Sequence, residues 1–344
     1  MTLRENLSRA LRGEEVEQIP FAIYGSFFNS SVGEQLRDIP DMGTIGMARA
    51  WTVEYSAVEV TTETLPDGGD LTTYHTPLGD LWQRRTLDPV SGSMWIMEHL
   101  VKQPEDWRLV QYLLEDAQYA PQPEFFDEQD EKIGEDGIVM APVERMPFQR
   151  LWIEFGDIEQ LCFLLADDRN KLDRMISSMT KRAVAHWKLT AASDAEFVWC
   201  PDNLTSDIMG PELFRRYAQP YYEALADVMH PAHKRLIAHF DGHLAVLKDL
   251  IAETPIDVIE SFTPPPNGNL RLGEAWEAWR DKVIWVNYPP AEHLHDPEEI
   301  KSRIRGLVAE AGHRRRLAFE ISEDVPLDLA PTNFAAIAEA LAEL

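Results

Sequence analysis

Through the second half of this chain, short apolar runs break off on polar, chemically capable side chains, and helical stretches separate one run from the next. Residues 138–143 stop at Glu144 and Arg145, and residues 197–200 at Pro201, Asp202 and Asn203. Residues 235–240 carry His239 and close on Asp241 and Gly242, where the glycine lets the chain turn. Residues 256–259 end on Glu260, 283–286 on Asn287 and Tyr288, and 317–321 on Ser322, Glu323 and Asp324. Between them lie apolar residues at helical spacing: Leu244, Leu247, Leu250 and Ile251, or the stripe Leu172, Met175, Ile176, Met179, Ala183 and Trp187, which reads as core. Adding an apolar segment at 21–24 and the stretch around 58–60 gives about eight strands alternating with helices, the pattern of a (β/α)8 TIM barrel. Period alone does not distinguish a closed barrel from a doubly wound open sheet, and no repeat of 20 to 50 residues is evident.

The first third reads differently. Leu3, Leu7, Ala10 and Leu11 share a helical face that stops at Gly13, and Pro20 introduces the strand at 21–24, with Phe27 and Phe28 just past its end. Between 71 and 100 the residues alternate through Thr73, His75, Leu81, Trp82 and Met94 to Met97, punctuated by Pro77, Pro89 and Gly92, which is a strand and hairpin signature. Pro104-Glu105-Asp106 opens a helix with acids suited to its N-terminal dipole, and the Pro- and acid-rich residues 121–137 read as a surface connection. Pro211 starts a further helix that Pro220 kinks. The expectation is one barrel domain over 1–344 with a hairpin elaboration at about 71–100.

With 59 acidic against 32 basic residues, the formal charge is −27, which argues against a phosphate-tracking nucleic-acid binder. The one basic run, Arg314-Arg315-Arg316, reads as a solvated connection from helix to strand. No window approaches the roughly 18 to 20 apolar residues of a membrane span, and the N-terminus lacks a signal pattern, so a cytoplasmic protein is expected. Cys162 and Cys200 lack CxxC spacing and suggest neither a disulfide framework nor a thiolate zinc site.

On a strand, residues two apart share a face, so His239 and Asp241 project together, and in a barrel the other strand ends converge on the same mouth. Taken singly these signals are weak, since a carboxylate just past a strand is often a helix N-cap, the reading favoured for Asp202 and Asp324. Together, one imidazole and two or three carboxylates can hold a divalent ion with a position open to water or substrate. Zinc, manganese and iron are all chemically acceptable to such a nitrogen and oxygen set. A metal-free alternative makes His239 a general base oriented by Asp241 or Glu260, and a third makes the histidine structural. His230, His233, His243, His293, His295 and His313 fall in loops or helix ends, where surface roles are expected. Phe27, Phe28, Trp152, Trp199 and Tyr288 are candidate apolar pocket walls, with Glu144, Asp202, Asn203 and Asn287 as polar lining; ordinary packing explains the aromatics equally well.

The chain resembles the uroporphyrinogen decarboxylase superfamily, and within it the branch of corrinoid-linked methyltransferases. The resemblance is carried by Arg4-Glu5-Asn6 through Leu11-Arg12-Gly13 to Ile19-Pro20, by Thr76-Pro77-Leu78-Gly79, and by Lys102 to Trp107. It continues in Gly210-Pro211-Glu212-Leu213-Phe214, Pro220-Tyr221-Tyr222, the His-x-x-Gly at His239 to Gly242, and Asp324-Val325-Pro326 to Pro331-Thr332-Asn333. Two departures speak against porphyrinogen decarboxylation. The family's Arg-Gln-Ala-Gly-Arg element is replaced by Gly25-Ser26-Phe27-Phe28-Asn29, and its Phe-Ser-Asp-Ile element by Val58-Glu59-Val60-Thr61. Where the methyltransferase branch holds zinc with His-x-Cys and a later Cys, this chain has His239, Asp241 and Glu323, with Glu260 as a possible fourth ligand. The resemblance therefore implies a metal-dependent methyltransferase or demethylase with a harder, oxygen-directed site, zinc being the first candidate ion. Its methyl group would pass to or from a corrinoid on a partner protein or a folate. A lyase or decarboxylase of a non-porphyrin acid, and a non-catalytic ligand-binding barrel, are the alternatives. Apolar helices at the surface are compatible with a homodimer.

Overall fold

A computed structural model describes residues 1–88, 94–312 and 314–344; the expected turn residues Pro89 and Gly92, and His313, lie outside the described residues. The chain divides into two compact units, one formed by residues 1–50, 123–143 and 190–344, the other by 51–122 and 144–189.

The first unit is a closed, all-parallel barrel of eight strands. They are β1 (Phe21–Tyr24), β2 (Met42–Met47), β3 (Gly137–Pro142), β4 (Phe197–Cys200), β5 (Arg235–His239), β6 (Val258–Phe262), β7 (Val283–Asn287) and β8 (Leu317–Ile321). Each pairs with its neighbour in chain order, and β1 closes the ring on β8 with Phe21 opposite Phe319. Inward positions alternate along every strand. Ala22, Ile45, Ile138, Met140, Phe197, Ile237, Val258, Val283, Trp285 and Ala318 form the core inside the ring, joined by Leu7 and Leu11 of the helix Leu3–Leu11. Thr2 caps that helix, accepting the Glu5 amide at 3.1 Å.

The second barrel strand differs from the expected one. Glu59 and Val60 belong instead to an exposed antiparallel strand, Glu59–Thr64, which the buried Val58 precedes, and the barrel position is taken by Met42–Met47. Gly43 and Gly46 give that strand a weak β signature, and packing explains the second of them. A Cβ on Gly46 would lie 2.3 Å from Ile133 Cδ1 of the helix Pro123–Ile133. That helix also replaces the surface connection expected at 121–137. Proline suits its first turn, and Phe126 is buried with Ala48, Val139 and Ala141 on the outer face of the barrel wall.

The second unit holds a four-stranded antiparallel sheet, Glu59–Thr64, Asp70–Thr76, Gly79–Leu87 and Met94–Glu98, which contains the hairpin expected at 71–100. Thr76 Oγ1 clamps its Pro77-Leu78 turn, accepting from Leu78 N at 3.1 Å and donating to Gly79 O at 2.7 Å. Gly79 sits at φ 133°, a region open to glycine. Trp51–Tyr55 pairs with Ala117–Pro121, and Asp106 closes a capping box on the turn Pro104–Asp106 that leads into the helix Trp107–Asp116, accepting the Lys102 and Gln103 amides. Arg150 lies between Glu144, at 2.5 Å, and Glu154, at 2.8 Å.

The apolar stripe of the helix Arg169–Ala192, from Leu172 to Trp187, is buried as expected of core. Before Pro220 the helix widens into a π turn over Phe214–Ala218 and resumes at Gln219–Met229, because proline has no N–H to continue the ladder. None of the described helices is long and apolar enough to cross a membrane.

Candidate metal centre

The inward register that fills the barrel with Ala22, Phe197, Ile237, Val258 and Ala318 brings, two residues on, Tyr24, Trp199, His239, Glu260 and Glu320 to the C-terminal ends of their strands. His239 and Glu260 are direct partners in the β5–β6 ladder. The Nδ1 of His239 lies 2.8 Å from Glu260 Oε2, which also accepts the Trp199 indole N–H at 2.9 Å, while Tyr24 donates its hydroxyl to Oε1 at 2.5 Å. A fully buried carboxylate is thus met by three donors, which is how a charge without solvent is tolerated.

Nε2, on the other side of the ring, faces Asp241 Oδ2 at 3.5 Å and Glu323 Oε1 at 3.6 Å. Asn203 donates to Asp241 Oδ2 at 2.9 Å and fixes its carboxylate. Asn203 itself is held at φ 45°, a left-handed conformation that asparagine tolerates. Gly242 follows Asp241, and its need is close approach more than turning: a Cβ there would lie 2.4 Å from Thr205 Cβ and 2.6 Å from Leu204 O.

His239, Asp241 and Glu323 each offer a ligand atom, and the three atoms lie within 4.8 Å of one another. Two ligands about 2.1 Å from a tetrahedral ion stand about 3.4 Å apart, so the spacings around Nε2 fit a divalent cation. The chemistry of the set fits as well. Asp241 and Glu323 retain 23 % and 37 % side-chain exposure, so the group is open on one side while the imidazole is anchored from behind. Anchoring Nδ1 by a buried carboxylate is the common support for a metal-binding histidine. Glu260 takes that supporting place, on the far side of the ring from the three-ligand group.

The electrostatics respond to this crowding. Burial works against a charged His239, but Glu260, together with hydrogen bonds to Asp241 and Glu323, lifts its pKa well above the ordinary imidazole value. Burial also opposes ionised Asp241, and contact with His239 outweighs it, holding that carboxyl below its usual range. Glu320 is the residue that the strand-end reading missed. It is fully buried, accepts the Ser261 amide at 2.7 Å through Oε1, and leaves Oε2 without a hydrogen bond. Burial and the nearby Glu260 charge drive its carboxyl pKa well above the usual value. Its signal in the sequence is a lone acid at an inward position of an apolar strand, two residues after Ala318.

The sequence profile of uroporphyrinogen decarboxylase (URO-D) matches residues 153–344. The chain belongs to the uroporphyrinogen decarboxylase family. No curated protein matches it. Among solved structures, a methyltransferase from Methanosarcina mazei is similar over 98 % of this chain and 99 % of its own, with TM-score 0.61 and 13 % identity, a likeness of fold. A candidate vitamin-B12-independent methionine synthase from Listeria monocytogenes aligns over 64 % of this chain and 68 % of its own, with TM-score 0.43 and 15 % identity.

The other strand-end residues of this uroporphyrinogen decarboxylase family member have separate surroundings. Asp202 is buried and accepts the Tyr222 hydroxyl at 2.7 Å, and neither it nor Asp324 caps a helix, since the next helices begin at Pro211 and Ala330. Asn287 ties strand ends together, donating to Thr263 Oγ1 at 3.0 Å and accepting the Ser322 amide at 3.2 Å. Tyr288 is buried edge-on against His293, with ring centroids 5.1 Å apart. That histidine departs from the surface role expected of it: it is fully buried, and burial pushes its pKa down to about 4. Phe27 packs on Phe334, and Phe28 lies under the Arg37 guanidinium. Glu144 and Trp152 belong to the second unit, where Glu144 binds Tyr119 and Arg150, and Trp152 donates to Gln149 at 2.8 Å.

Proposed function

We propose that this protein is a metal-dependent methyltransferase or demethylase that moves a methyl group between a small oxygen-containing substrate, methoxylated compounds among them, and a corrinoid protein or a folate. The observation that carries the reading is the convergence of His239, Asp241 and Glu323 at the barrel mouth, one imidazole and two carboxylates that make a harder donor set than thiolates would. Family membership and a shared fold with a protein described as a methyltransferase support it. A divalent ion, zinc first among the candidates, would supply a Lewis acid to a substrate oxygen there, easing departure of an alkoxide or phenolate or activating an acceptor.

The chain's own residues prepare that position. Glu260 holds a proton on Nδ1 of His239 and so leaves Nε2 as the ligand atom, while Trp199 and Tyr24 keep Glu260 in place. Asn203 turns Asp241 toward the same point. The half-exposed Glu323 stands on the solvent side, where substrate enters.

The test is absorbance spectroscopy of a reduced corrinoid protein mixed with the metal-loaded enzyme and a series of methoxylated donors or methanol. Growth of a methylcobalt band, lost in His239→Ala, is the expected result. Carbon dioxide release from a carboxylic acid substrate, with no methylcobalt or methylfolate from any donor, would replace this reading with the lyase or decarboxylase one.

A further inference from the structure

At the opposite end of the barrel from the metal centre, where β5 and β7 begin, a cavity of about 520 Å³ is lined by five arginines, Arg12, Arg235, Arg280, Arg315 and Arg316, with Asp281 the one acid among its lining residues. In a chain of net charge −27 this is a local reversal of sign. Its arginines come from four separate parts of the sequence, so the topology assembles the group and a single basic run does not account for it.

Internal carboxylates satisfy only part of the group. Arg12 is engaged by Glu196 through two nitrogens, at 2.5 and 2.6 Å, and Arg235 Nη1 reaches Asp257 at 3.2 Å. Arg235 Nε is buried without a hydrogen-bond partner. Arg280 donates Nε to Glu277 O at 3.1 Å, and Arg316 donates Nη1 to Trp279 O and Lys282 O, so among the described residues these two forks hydrogen-bond backbone carbonyls, with the charge of Asp281 acting on Arg316 from nearby. Arg316 is stacked on Trp276, with its guanidinium carbon 4.5 Å from the ring centre. Its guanidinium is disfavoured first by burial and then by the like charge of Arg315. Like charges gathered around a cavity are stabilised by an anion that several of them share, and planar guanidinium forks match the oxygens of phosphate.

We propose that this cavity binds a compact, multiply charged phosphate group, such as a diphosphate, at a site separate from the metal centre. One carboxylate would satisfy one fork, whereas a diphosphate presents enough oxygens and charge for Arg280 and Arg316 together, beside Arg315, which donates Nε to Gly13 O at 2.9 Å. Its source is a free oligophosphate or the phosphate tail of a nucleotide, which share this chemistry.

Isothermal titration calorimetry of the full-length, metal-loaded protein with inorganic pyrophosphate, ADP and citrate tests it. Saturable binding of pyrophosphate or ADP at one equivalent is expected, at least tenfold tighter than citrate. Tighter ADP assigns a nucleotide and tighter pyrophosphate a free oligophosphate. The exposed pair Arg280→Glu and Arg315→Glu should abolish the signal with an unchanged circular dichroism spectrum. Should that double variant fail to fold, Asp281→Asn provides the second reading, because removal of the one lining acid should tighten binding severalfold. Absence of saturable binding, equal weak heats from all three anions, or an affinity indifferent to Asp281→Asn would overturn the proposal.

Discussion

Glu260 holds His239 by its Nδ1 at 2.8 Å, from a position with no solvent access, and so decides which nitrogen of the ring faces Asp241 and Glu323. With Nδ1 engaged, Nε2 is the ring nitrogen left to serve the proposed ion. Replacing Glu260 by Gln keeps the volume and removes the charge. Divalent-ion affinity should fall by about 10- to 100-fold, measured by competition with a chromogenic chelator. An unchanged affinity would mean that Glu260 does not support the ligand.

Gly242 carries the second positional demand. A methyl group there meets Thr205 Cβ at 2.4 Å and Leu204 O at 2.6 Å, so the segment that carries Asp241 must move away. Gly242→Ala is expected to destabilise the fold by about 1–3 kcal/mol and to weaken ion binding beside it. Urea unfolding of the ion-free protein reads the first effect and chelator competition the second. A variant as stable as the parent would show that the close approach can relax.

Most of the barrel was legible because its later strands are compact apolar runs with punctuated ends, and inward alternation then points His239 and Glu260 into one space. The β2 strand was hidden for a packing reason: Gly46 is there to admit Ile133, and glycine erases the β signature. The helix Pro123–Ile133 was hidden by its acidic exposed face, with Phe126 as the one buried side chain along it. Within the site, the candidate ligands followed from residue type and resemblance, but the separate place of Glu260 could not, because which ring nitrogen it meets depends on the β5–β6 register. Asp202 misled for the converse reason. A carboxylate after a strand resembles a helix cap, and its actual partner, Tyr222, lies 20 residues further along the chain.

His293 makes stability depend on mildly acidic pH. Its folded pKa of about 4 lies below the ordinary 6.5, so the unfolded chain binds the proton more readily. The stability this group contributes is complete above pH 6.5 and is lost as pH falls toward 4, by roughly 3 kcal/mol at about 1.4 kcal/mol per unit. Thermal melts of the parent and His293→Gln across that window should show a smaller loss in the variant. Parallel pH profiles would contradict the assignment.

In the second unit, Arg150 is 12 % exposed between the carboxylates of Glu144 and Glu154. Arg150→Ala leaves both acids half-enclosed without their shared cation, and a cost of about 3–5 kcal/mol is expected from denaturant unfolding. Arg150→Lys keeps the charge but not the fork and should recover part of it. A loss under about 1 kcal/mol for the alanine variant would place the triad with ordinary surface pairs.

His239, Asp241 and Glu323 are proposed to bind one ion together. The direct measurement is metal analysis of the purified protein by inductively coupled plasma mass spectrometry, repeated for His239→Ala, Asp241→Ala and Glu323→Ala after reloading with zinc, manganese or iron. Close to one equivalent of a divalent ion is expected in the parent, with most of it lost in each variant and the fold intact by circular dichroism. A parent that takes up no stoichiometric ion, or variants that retain it undiminished, would contradict the site and with it the proposed chemistry.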